Sequence, residues 1–191
     1  MDDMRFLPVL KEHKIAWVNE DRVIMVNGEI TDFIAGAFVM ELNRLEKEDR
    51  FSDITVLINS PGGSIAAGWA MIDAMNRLSC DVSTVCLGMA ASMGAMLLMS
   101  GSKGKRLIFP HSRVLIHQPL GGTQGQAADI EIYTAEIKRT REELYSWICE
   151  QTGQNMEKVA SDCDRNYIMT ATEALDYGIV DRILNSQDSI K

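Results

Sequence analysis

An α/β domain built on a mostly parallel sheet is what this sequence predicts, on three observations. Short β-branched runs alternate with stretches of helical periodicity, a rhythm that lays strands side by side with helices crossing between them. The central runs, such as ITVLIN at residues 54–59, are apolar without alternation, as strands covered on both faces require. The composition, 46% apolar and 24% charged with four prolines in 191 residues, belongs to an ordinary globular chain of one domain.

Residues 15–18 and 22–26 read as short strands, and Thr31 opens a helix whose apolar Phe33, Ala37, Met40 and Leu45 recur at helical spacing. ITVLIN follows as a strand and is broken by SPGGS. Ile65, Trp69, Ile72 and Met75 then mark a second helix. Residues 82–102 hold no charge and are 21 long, enough to span a bilayer. Five serines and threonines and three glycines oppose a membrane helix there, and Gly88 divides the stretch into a buried strand, VSTVCL, and a small-residue turn leading to a helix over residues 91–99. LIF and RVLIH read as strands separated by a turn at Pro110, and GGTQGQ as a glycine-containing loop.

From residue 127 to about 152 there is neither glycine nor proline. A helix of that length spans about 39 Å, more than a compact crossover needs. Ile130, Ile137 and Leu144 repeat every seven residues, with Tyr133 and Trp147 on the adjoining line and charged residues elsewhere, so the expected helix projects and carries one apolar stripe suited to another subunit. Helices over residues 156–160 and 172–177 and a strand over residues 179–184 complete the chain. No linker, repeat or low-complexity tract divides residues 1–191.

The net charge of −8 disfavours nucleic acid and anionic lipid as partners. The N-terminal MDDMRFLPVLKEHK holds no apolar stretch of secretory length, so a cytoplasmic protein is expected. Cys80, Cys86, Cys149 and Cys163 lack CxxC spacing and read as reduced thiols; with only three histidines and no metal-ligand spacing, no metal or bound cofactor is expected.

Three local features point toward acyl transfer. INSPGG runs a strand into Pro61, Gly62 and Gly63, where absent side chains let a carbonyl approach backbone N–H groups. In GMAASMG, Ser92 stands among small residues at a strand-to-helix junction that exposes its hydroxyl and aims the Met93 N–H beside it. In RVLIHQP, His117 leaves the end of an apolar strand, and imidazole is the side chain whose ordinary titration suits proton transfer from a serine. Each alone has a plain structural reading, as a turn, a packed helix start and a strand-end histidine. Nucleophile before base also departs from chymotrypsin and subtilisin order, and AASMG from the GxSxG elbow of α/β-hydrolases.

From RVIMVNG onward these residues resemble the ClpP family, the peptidase component of the ATP-dependent Clp protease. INSPGG, GMAASMG, KGKR with FPHSR, IHQPLGGTQGQAADIEI, TGQ and EALDYGIVD follow its pattern in order and spacing. The resemblance implies a crotonase-like α/β fold with a projecting handle helix, assembled as two stacked seven-membered rings around a chamber. It implies Ser92 as nucleophile, His117 as general base, the N–H groups of Gly63 and Met93 as oxyanion donors, and the long helix as the ring-to-ring contact. Its substrates are unfolded polypeptides delivered by a partner AAA+ unfoldase that uses the ATP.

Two departures stand out. The family's triad acid lies in a DRD-like tripeptide, and here the stretch is Asp164, Arg165, Asn166. Asn166 can accept the histidine's ring N–H but has no charge for the imidazolium, and Asp162 and Asp164 are the nearby acids that could substitute. Arg165 matches the family's ring-contact arginine. Thr55, Leu57 and Arg77 occupy positions where the family's unfoldase-docking pocket has aromatics, and residues 1–20 match its axial segment poorly, so direct docking is doubtful. The resulting expectation is a divergent second ClpP-type subunit, weak or conditional alone, working in a mixed assembly with a complete paralogue. The alternatives are a non-catalytic ring subunit and a crotonase-fold acyl-CoA enzyme.

Overall fold

The backbone of the sheet is a run of parallel strands whose order follows their sequence. The computed structural model describes residues 22–185 and 188; the strand expected over residues 15–18, and residues 1–20 generally, lie outside the described residues. Strands β1 (Val23–Asn27), β2 (Ile54–Ser60), β3 (Val82–Ala91), β4 (Arg106–Ile108) and β7 (Arg182–Ile183) lie side by side in that order, every pair parallel. Between them run α1 (Asp32–Glu48), α2 (Ile65–Asn76) and α3 (Met93–Met99), with α1 packed on α2 and α2 on α3. Ile24, Val26, Ile54, Val56 and Ile58, which share one face of β1 and β2, are buried; on the other face Thr55 is buried but Val23, Met25 and Leu57 are half-buried, so that face is only partly covered.

Thr31 caps α1 by accepting the Ile34 N–H at 3.3 Å. The buried face of this helix is Ile34, Phe38, Leu42 and Leu45, however, and Phe33 and Met40 are exposed. The expected stripe shared only Leu45 with the real one, because two apolar rows run along α1 a residue apart and spacing alone cannot rank them.

Strand β3 corrects a second expectation. It does not end at Gly88 but changes partners there: Thr84–Cys86 pair with β4, whereas Met89–Ala91 pair with β5 (Arg113–Ile116). Against β2, its register slips between Ile58 and Ser60, leaving two extra residues in β3. Gly88 has φ +85, and Ser112 stitches the bend, accepting the Gly88 N–H at 2.9 Å and donating to the Cys86 carbonyl at 3.1 Å. The uncharged stretch 82–102 is thus strand, elbow and short helix. Among the described residues no helix is long and apolar enough to cross a membrane.

Beyond β5, α4 (Ala127–Thr152) has the expected bounds and ends on Gly153 in the left-handed conformation, φ +77. Only Leu144, Tyr145 and Ile148 of this helix are buried; Ile130, Ile132 and Tyr133 are exposed, so its first half projects from the body. Helix α5 (Met156–Asp162) and helix α6 (Ala171–Tyr177) follow as expected, and the last strand is shorter than residues 179–184. One strand went unread: β6 (Tyr167–Thr170) pairs antiparallel with β5, with Arg113 opposite Thr170 and Ile116 opposite Tyr167.

A buried ion pair ties this outer layer to the sheet. Arg106, 4% exposed, forks onto Asp181 at 2.5 and 3.0 Å and donates to the Gln151 carbonyl at the end of α4 at 2.9 Å. Burial raises the Asp181 carboxyl, but the hydrogen bonds and charge of Arg106, with the Gly104 N–H, outweigh it and hold the group below the usual range. The four cysteines are free; burial pushes the Cys86 and Cys163 thiols up to about 12, so both behave as core residues.

Candidate active site

The bend in β3 aims its C-terminal end at the turn that closes β2. There Ser60 Oγ accepts the Gly62 N–H at 3.1 Å, and Gly62 and Gly63 take φ of +93 and +152. A Cβ on Gly62 would lie 2.7 Å from both the Ala91 carbonyl oxygen and Ser92 Cβ, and one on Gly63 would collide with the Ile30 backbone. Glycine is required here because two backbones touch.

Ser92 sits where β3 turns into α3, at φ +54 and ψ −122, a conformation that strains any residue with a side chain. The strand and helix hold it there: its N–H donates to the Leu115 carbonyl at 2.9 Å, and its carbonyl accepts the N–H groups of Ala95 and Met96. Its half-buried hydroxyl makes no capping bond to α3. Among the described residues the N–H groups of Gly63 and Met93 donate to no protein acceptor, so both are available to a ligand oxygen.

His117 and Asn166 meet because of β6. The β5–β6 ladder ends at Ile116 opposite Tyr167, and one step farther the same antiparallel register sets His117 against Asn166. His117 Nδ1 lies 3.1 Å from Asn166 Oδ1, within hydrogen-bond reach, and a ring proton on Nδ1 would be donated to that oxygen. The acids that could have substituted are engaged elsewhere. Asp162 Oδ2 accepts from Tyr177 Oη at 2.9 Å and Lys158 Nζ at 2.7 Å, while the Asp164 carboxylate lies 3.4 Å from Gln118 Nε2. Burial, reinforced by the Asp162 carboxylate, drives the Tyr177 hydroxyl well above its usual range, so it remains a donor.

Gly63, Ser92, Met93 and His117 line one cleft of about 210 Å³, whose floor includes Met96, Leu144 and Ile148. Ser92 and His117 share this cleft without a hydrogen bond joining them. Behind His117 a wider depression of about 640 Å³ is lined by Gln118, Asp164, Arg165 and Asn166. Arg165 is almost fully exposed and reaches the Asp164 carboxylate only at 3.7 Å. Among the described residues no group of three or more His, Cys, Asp or Glu side chains is placed to hold a metal ion.

Of the three positions expected in a docking pocket, Thr55 is buried, Leu57 half-buried, and Arg77 exposed with Nη2 donating to Asn43 Oδ1 at 2.5 Å. The arginine there is solvated rather than sealed in an apolar pocket, and it makes that surface polar.

A family model for Clp protease matches residues 11–187 of the chain. The "ATP-dependent Clp protease proteolytic subunit" of Porphyromonas gingivalis is 51% identical over 164 residues, which cover 86% of this chain and 74% of that protein. With a parallel-dominated sheet, a projecting helix and this cleft already in place, these matches show that the chain belongs to the Clp protease family.

Proposed function

We propose that this chain is the proteolytic subunit of an ATP-dependent Clp protease and acts as a serine endopeptidase on unfolded polypeptides. The observation that carries the reading is the convergence on one cleft of a strained, half-buried serine, a histidine held at its Nδ1, and two uncommitted backbone N–H groups.

Asn166 fixes the ring proton on Nδ1, leaving the Nε2 lone pair to take the Ser92 proton as Oγ attacks the scissile carbonyl. The carbonyl's π electrons move onto oxygen, and the N–H groups of Gly63 and Met93 stabilise that oxyanion. His117 returns the proton to the leaving amine, which departs as the C–N bond breaks. Water then repeats the sequence on the acyl-enzyme and frees Ser92. No cofactor enters these steps; ATP is used by an AAA+ unfoldase.

The same reading takes the assembly as two stacked heptameric rings around a chamber, in the cytoplasm, with the exposed half of α4 between rings. Because Asn166 offers no charge to the imidazolium, turnover as a homomer is weak, and full activity comes in a mixed assembly with a complete ClpP paralogue. The polar surface at Arg77 supports docking of the unfoldase through that paralogue.

Labelling by a fluorophosphonate or β-lactone probe, followed by peptide mapping and native mass spectrometry with and without the paralogue, tests this. Modification at Ser92, absent in Ser92→Ala, is expected. An intact assembly with an unreactive Ser92 fits the second reading, a non-catalytic ring subunit, which the neutral Asn166 favours.

A further inference from the structure

The three residues that precede β6 are held by less than the elements on either side of them. Asp162 is anchored by Tyr177 and Lys158, Cys163 is fully buried, and from Tyr167 onward the chain belongs to the β5–β6 ladder. Asp164, Arg165 and Asn166 are all exposed. Apart from the bonds that the Cys163 and Asp164 N–H groups make back to Val159 and Ser161, the hydrogen bonds to the main chain of residues 163–166 come from one residue, Gln118. Its backbone N–H donates to the Cys163 carbonyl at 2.6 Å, and its Nε2 donates to the Asp164 carbonyl at 2.8 Å.

Gln118 directly follows His117, so the residue next to the imidazole grips the segment that ends in the imidazole's partner. With an aspartate at residue 166, charge attraction would draw the two side chains together. A neutral amide has no such pull, and its hydrogen bond is about half as strong as a charge-assisted one. The amide can also turn over. With Nδ2 toward the ring, Nδ1 becomes the acceptor and the proton moves to Nε2, the atom that must be free to receive the serine proton. The 3.1 Å contact therefore depends on where the backbone sets Asn166.

We infer that Gln118 is a positioning residue, whose side-chain and main-chain bonds to Cys163 and Asp164 hold Asn166 Oδ1 against His117 Nδ1; the inference rests on the serine-peptidase reading above.

Two measurements test it, in whichever assembly the wild-type chain cleaves peptide. Gln118→Ala, and the isosteric Gln118→Glu, which cannot donate to the Asp164 carbonyl, are expected to lower kcat about tenfold with KM changed less than about twofold. On an Asn166→Ala background the same changes are expected to cost less than about twofold, because the partner they act through is gone. Wild-type kcat in Gln118→Ala, or an undiminished loss on the Asn166→Ala background, overturns the inference.

The second measurement needs no turnover. In protein carrying ¹⁵N only at its three histidines, exchange of the His117 Nδ1–H with water is expected to quicken in both Gln118 variants. An unchanged exchange rate overturns the inference. Gln118→Glu keeps the side chain's size, so it decides the matter if Gln118→Ala does not fold. Ser92→Ala separates the two ideas: if peptide cleavage survives it, the serine reading fails, and the exchange rates still judge Gln118.

Discussion

Asn166→Asp places a negative charge where the protein now offers only an amide dipole. Asn166 Oδ1 stands 3.1 Å from His117 Nδ1, so the carboxylate and the imidazolium that the proposed mechanism forms during attack would have charge centres about 4 Å apart. At that separation the attraction is worth about 4 kcal/mol at an effective dielectric of about 20 and about 1 kcal/mol in bulk water. Asn166 is exposed, so the value falls between these limits. At about 1.4 kcal/mol per decade, the expected gain in turnover is between about fivefold and about a thousandfold. That is less than the factor of about 10⁴ lost on the reverse change in the serine-protease template, where the acid is buried. The assay is kcat for a fluorogenic peptide, comparing wild type, Asn166→Asp and Asn166→Ala in the same assembly. Because a carboxylate favours the imidazolium, the acid limb of the kcat profile should also move to higher pH in Asn166→Asp. Turnover that is unchanged or lower in a folded, assembled Asn166→Asp protein would refute the argument that missing charge limits this site.

The other predictions concern the scaffold of the site. Gly62→Ala should cost about 1–3 kcal/mol of stability and most of the activity, since residue 62 has φ +93 and a Cβ there meets the Ser92 elbow at 2.7 Å; a thermal melt matching wild type would contradict this. Ser92→Gly should abolish probe labelling yet raise stability by about 1 kcal/mol, because glycine adopts φ +54 without strain, and a melting temperature at or below wild type would oppose it. Arg106→Met should lose about 3–5 kcal/mol by leaving Asp181 unpaired in a mostly buried site, measured by denaturant unfolding. Asp181 is held below its usual range, so its stabilising contribution is complete above about pH 4 and disappears as pH falls through the depressed value; Asp181→Asn should flatten that part of the stability profile.

Much of this arrangement is written in short-range pattern. Ser92, Gly63 and Met93 are marked by small residues at strand ends, and the alternation of β2, α2 and β3 follows from unbroken apolar runs and helical periodicity. The contact of His117 with Asn166 was not legible from spacing. It depends on β6, a four-residue strand whose YIMT has only one buried residue, so it lacks the apolar run that announces the inner strands. Likewise, the partner change in β3 depends on Ser112 and on the lateral position of β5, neither of which leaves a periodic mark. On α1 the pattern misled, because Phe33 and Met40 are apolar yet exposed; hydrophobicity reports an interface or a core without saying which.

Helix α4 belongs to two places at once. Leu144 and Ile148 are part of the cleft floor, while seventeen residues earlier the same stiff rod begins in the open at Ala127. It is therefore a lever whose short arm lines the cleft that holds Ser92 and His117. On the proposed mechanism, a grip on the outer arm that tilts the rod would shift the lining beside a bound peptide, and the rate of cleavage would then gauge whatever holds that arm.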